Sequence, residues 1–154
     1  MRNKKEAGIT IVETIIYTAI MVIVVSMTFQ AFSSFRDNQA IEKSASQMVT
    51  ALRRAQTMTT SSKNASQYGV YFLSNKVIVF RGVQYSSSGS ENESFSFDPA
   101  VSLGTTTFNG GGSSIVFKRI TGATDNFGTS TVYLKNNISK FRSIFVNPSG
   151  FVQY

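Results

Sequence analysis

Residues 9–35 form an almost uninterrupted apolar run in which Glu13 is the only charged side chain. As a helix rising about 1.5 Å per residue, the run is about 40 Å long, enough to cross a hydrocarbon core of about 30 Å with tilt. A chain carrying such a segment is not an ordinary cytosolic domain. Its 154 residues and 42% hydrophobic content suggest one domain only because the average blends two different halves. Twelve of the fifteen Lys and Arg lie at Arg36 or beyond, where six carboxylates oppose them and leave a net charge of +6.

Residues 1–8 carry Arg2, Lys4 and Lys5 against Glu6. Positive charge beside a hydrophobic segment stays cytoplasmic, so the remainder is expected to be exported. A secretory signal peptide is the alternative, with Ala31-Phe32-Ser33 as a cleavage site. Against it stand an apolar run longer than the usual stretch of about 7 to 15 residues, and Glu13 near the start of that run. A carboxylate near the hydrocarbon costs on the order of 2.5 to 3.5 kcal/mol, less towards the interface, so Glu13 is a candidate functional residue.

Gly8-Ile9-Thr10-Ile11-Val12-Glu13, behind a short basic leader and ahead of an apolar helix, resembles the prepilin signature of type IV pilins and pseudopilins. The resemblance implies cleavage after Gly8 by a prepilin peptidase, N-methylation of Ile9, and a role for Glu13 as the glutamate at the fifth mature position. Ile9 departs from the usual Phe or Met, and Thr14 stands where an aliphatic residue is common. Cleavage would free a positive amine at Ile9, and methylation would not remove its charge. In a filament, Glu13 of one subunit can meet that amine on a neighbour, so that two ions costly alone become a pair. The alternative is a Glu13 that only reaches to the interface.

Past Phe35 the helix is expected to continue. Ile41, Ala45, Met48, Leu52 and Ala55 recur at spacings of three and four, with Glu42, Lys43, Gln47, Thr50, Arg53 and Arg54 on other faces. This stripe is expected to dock on the chain's own globular half, because about two heptads containing alanines make a poor coiled coil. The Thr- and Ser-rich residues 57–62 end it. Short runs at 68–73, 77–81, 95–97, 115–120, 131–135, 143–146 and 151–154 are rich in Val, Ile, Phe and Tyr and predict strands. Turn signals separate them, among them Asn147-Pro148-Ser149-Gly150, so antiparallel hairpins are expected. The domain plan is a leader at 1–8, a transmembrane and filament-core helix at 9–35, an amphipathic continuation at 36–60 and a β-rich head at 61–154. The fold class is α+β, with a long N-terminal helix packed on an antiparallel β-rich head.

Ala51-Leu52-Arg53-Arg54-Ala55-Gln56, Tyr68-Gly69-Val70-Tyr71-Phe72, Ile115-Val116-Phe117 with Gly122 and Gly128, and Val146-Asn147-Pro148-Ser149-Gly150-Phe151-Val152 resemble the GspH/FimT-type minor pseudopilin domain. That resemblance implies a pilin-like fold and a low-copy subunit near the tip of a type II secretion pseudopilus or type IV pilus. Its partners would be other pilin or pseudopilin subunits, the prepilin peptidase and the membrane. Some members bind DNA during uptake.

No catalytic constellation emerges, so no enzyme and no cofactor are expected. The chain has no His and no Cys, which removes the commonest general base and thiolate chemistry. No Ser stands three residues before a Lys, and Gly110, Gly111 and Gly112 lack the following Lys-Ser or Lys-Thr of a phosphate loop. Glu91, Glu93 and Asp98 could contribute to a calcium site, although an acidic loop accounts for them more simply. Lys118, Arg119, Lys135, Lys140 and Arg142 form a candidate DNA or anion patch if they converge near Phe127, Tyr133 or Phe141. Asn-x-Ser sequons at Asn64, Asn92 and Asn137 carry no assigned function. The expected function is a minor pilin or pseudopilin. A DNA-binding minor pilin and a membrane-anchored or secreted β-domain are the alternatives.

Overall fold

A computed structural model of the chain describes residues 9–154. The expected leader, including Gly8, lies outside the described residues. Helix α1 (Ile11–Thr60) contributes to two compact units that divide between Arg36 and Asp37.

In the first unit, α1 displays apolar side chains to its surroundings. Ile11, Val12, Ile15, Ile16, Ile20, Met21, Val22, Ile23, Met27, Phe29, Phe32 and Phe35 are all exposed. This helix alone, among the described residues, is long and apolar enough to cross a membrane.

In the second unit, the rest of α1 is one-sided. Ile41, Ala45, Met48, Leu52 and Ala55 are buried, joined by Ala40, Val49 and Ala51, while Lys43, Thr50, Arg53 and Arg54 are exposed. The helix is followed by a 3-10 turn (Lys63–Ala65), in which Asn64 and Ala65 adopt positive φ and reverse the chain. Eight strands follow: β1 (Tyr68–Leu73), β2 (Lys76–Arg81), β3 (Glu93–Ser96), β4 (Val101–Phe108), β5 (Ser114–Val116), β6 (Gly128–Leu134), β7 (Asn137–Val146) and β8 (Val152–Gln153). They form two four-stranded sheets, ordered β3-β2-β1-β5 and β4-β6-β7-β8, with every pairing antiparallel. The α1 stripe shares one hydrophobic core with Val70, Phe72 and Val79 of the first sheet and Val132, Leu134, Ile144 and Val146 of the second.

The outer side of the first sheet is also covered. Ile78 and Phe80 point away from Val77 and Val79 yet are buried. Tyr85, past the end of β2, stacks on Tyr71 at 4.2 Å and meets Phe80 edge-on at 5.7 Å. The Phe80 ring lies over Gly69, where a Cβ would come within 2.7 Å of it.

Thr59 joins helix to sheet. Its buried hydroxyl donates to the Ala55 carbonyl at 2.7 Å and accepts the Tyr68 N–H at 2.9 Å. Without it, that first strand amide would be buried unpaired.

Several strand boundaries differ from those expected. Residues 101–108 were not expected as a strand, because Ser102, Gly104, Thr105, Thr106 and Thr107 interrupt the apolar alternation; β4 nevertheless pairs along β6, with a bulge between Leu103 and Thr106. β7 starts six residues earlier than the run at 143–146 implied, since its first half is exposed and carries no one-sided pattern. The strand expected at 115–120 stops at Val116. Phe117 makes an isolated bridge to Thr124, and Ile120 turns at φ 70.

Candidate functional site

The N-terminal end of α1 begins at Thr10. Its hydroxyl accepts the Glu13 N–H at 3.2 Å and so satisfies one of the orphan amides of the first turn. Thr10-Ile11-Val12-Glu13 has the spacing of a capping box, in which the glutamate would reach back to the Thr10 N–H. That reciprocal bond is not formed among the described residues. The Glu13 carboxylate instead turns forward one helical turn, where Tyr17 Oη donates to Oε1 at 3.3 Å.

Four hydroxyls along this apolar helix are satisfied within it. Thr14 donates to the Thr10 carbonyl, Thr18 to those of Thr14 and Ile15, Ser26 to Val22 and Thr28 to Val24. Such back-bonding lets a hydroxyl sit in an apolar medium without an unpaired donor. Glu13 differs, because Tyr17 engages only one of its two oxygens and the side chain remains exposed. Ile9, the expected mature N-terminus, is exposed at the same end. The i, i+4 spacing of Glu13 and Tyr17 was the available signal for their contact, and sequence reasoning passed over it.

The five candidate anion-binding cations do not gather at one place. Lys118 pairs with Asp125 at 2.6 Å, three residues before β6 begins, whereas Lys135 follows the other end of β6 and donates to the Pro99 carbonyl at 2.7 Å. A strand of this length separates them by roughly 20 Å. Arg119 is exposed in the turn after Lys118. Arg142 lies opposite buried Val132 and reaches Glu42 of α1 at 2.6 Å. Lys140 lies in the irregular part of β7, where the pairing with β6 shifts register. Phe141 and its cross-strand partner Tyr133 point to the opposite side, where they line a shallow groove with Gly104, Thr105, Thr131 and Ile138. Strand alternation thus separates Tyr133 and Phe141 from Arg142.

The acidic residues considered for calcium are dispersed too. Glu93 pairs with Arg54 of α1 at 2.5 Å, and Asp98 Oδ1 accepts the Ala100 N–H at 3.0 Å. Glu91 enters a network that was not anticipated: it accepts from Arg81 at 2.9 Å, from Asn64 at 3.2 Å and from Tyr68 Oη at 3.3 Å. Partial burial pushes the Glu91 carboxyl up, but the Arg81 hydrogen bond and charge, with the Tyr68 and Asn64 donors, outweigh it and hold the group below its ordinary value. Burial is the main reason the Tyr68 phenol is raised, reinforced by the Glu91 charge. The network ties the segment before β3 to the turn after α1. Among the described residues, no three His, Cys, Asp or Glu side chains stand close enough to hold a metal.

No family model, curated protein or solved structure matches the chain.

Proposed function

We propose that the protein is a minor pilin or pseudopilin, a non-enzymatic structural subunit of a type IV pilus or type II secretion pseudopilus. It is held in the cytoplasmic membrane by α1, with the head outside the cytoplasm, until assembly. The observation that carries the reading is the first half of α1, an exposed apolar helix in which Thr14, Thr18, Ser26 and Thr28 are satisfied internally and Glu13, near its start, has only Tyr17 as a side-chain partner among the described residues. In a lipid bilayer that surface is solvated; in a filament it would pack against the same helix of other subunits. The signature Gly8-Ile9-Thr10-Ile11-Val12-Glu13 supports the same reading, with cleavage after Gly8 and methylation of Ile9.

Assembly then follows from electrostatics. The Glu13 carboxylate and the Ile9 amine of a neighbouring subunit are each costly near hydrocarbon, and pairing offsets much of both penalties. A subunit entering out of register would leave both ions unpaired, so the pair selects axial position. Glu13→Ala is expected to insert into membranes as the parent does and to fall at least tenfold in the filament fraction, read by immunoblot of sheared filaments against membranes. Unchanged incorporation would contradict the ion pair. Lys118, Lys135 and Arg142 each engage a different partner within the head, so nucleic acid has no part in the proposal.

A further inference from the structure

We infer that Tyr17 is a positioning residue for Glu13, holding its carboxylate out of the capping box and turned to the side of the helix, where an amine from another subunit can reach it. The inference rests on the function proposed above and adds a residue to it.

Two destinations compete for the carboxylate. Thr10-x-x-Glu13 spacing favours a return to the Thr10 N–H, which would draw the charge back over the helix end and satisfy it locally. Half of that box is built, since the Thr10 hydroxyl already holds the Glu13 N–H. The other half is missing because Tyr17 Oη, one turn onward, holds Oε1 at 3.3 Å. Thr14 and Thr18 offer no alternative, as their hydroxyls are spent on backbone carbonyls. Tyr17 therefore gives Glu13 one donor and a fixed direction, while the second carboxylate oxygen has no partner among the described residues and is left for a cation. A tyrosine suits the place, because its ring is at home in an apolar surface and only its tip is polar.

Tyr17→Phe keeps the ring and removes only the donor. Two readouts on the full chain test the role, with Glu13→Ala run in parallel. In detergent micelles, 13C-labelled glutamate reports the Glu13 carboxyl resonance, assigned by its loss in Glu13→Gln. Tyr17→Phe is expected to shift that resonance as the carboxylate changes donor. In cells, Tyr17→Phe is expected to reach the membrane at parental level and lose about tenfold in filament incorporation, the scale of one hydrogen bond to a charged group. An unmoved Glu13 resonance, or parental incorporation of Tyr17→Phe, overturns the inference. If Glu13→Ala fails to assemble while Tyr17→Phe assembles normally, only the Tyr17 role falls. If Glu13→Ala assembles normally, the ion pair and the Tyr17 role fall together.

Discussion

Two residues in the head set conditions that solution measurements can read. Glu91 is held below its ordinary value of 4.5 by Arg81, Tyr68 and Asn64. A group with a depressed folded value contributes stability that is present above its unfolded value and lost as pH falls through the folded one. Thermal melting of the chain in detergent should therefore weaken below about pH 4.5, and Glu91→Gln should flatten that part of the profile. An equal acid dependence in Glu91→Gln would assign it to other carboxylates. Gly150 answers to backbone geometry. It sits at φ 84 in the turn before β8, and a Cβ there would overlap the Gly122 carbonyl oxygen and crowd Gln56, which itself donates to Gly122 at 3.2 Å. Gly150→Ala should cost about 1 to 3 kcal/mol, seen as a lower denaturation midpoint.

The elements differ in how openly the sequence announces them. The α1 stripe was legible because Ile41, Ala45, Met48, Leu52 and Ala55 keep one helical face and all became buried. Leu52 lies fully inside the shared core, so Leu52→Ala should destabilise the head by about 2 to 5 kcal/mol, measured by chemical denaturation in detergent. Strand β4 was illegible for the opposite reason: its middle is made of half-exposed Ser, Gly and Thr, and pairing with β6, not sequence pattern, makes it a strand. The first half of β7 was hidden in the same way. At the candidate site, Glu13 stood out as the single charge in an apolar run. Its turn towards Tyr17 did not, because two local donors compete for the carboxylate and spacing does not choose between them. The apolar half of α1 makes its own prediction. Ile23→Lys places a charge near the middle of the run at a cost of about 2.5 to 3.5 kcal/mol, and should lower the carbonate-resistant membrane fraction.

At the scale of the whole molecule, the chain joins an apolar helix, whose described side chains up to Phe35 are exposed, to a head with its own core: α1 beyond Arg36 and both sheets bury one another. Among the described residues, those of 9–35 add nothing to that core cluster, and under the proposed function their apolar surface is covered first by lipid and then by other subunits. The proposed function ties that surface to a processing event, since the amine that Glu13 would meet exists only after cleavage. The N-terminus of the mature protein, determined by mass spectrometry on material taken from the membrane, tests this most directly. The account predicts a chain that has lost Met1 to Gly8 and begins with N-methylated Ile9; a chain that keeps Met1, or one that begins near Ser34, would contradict it.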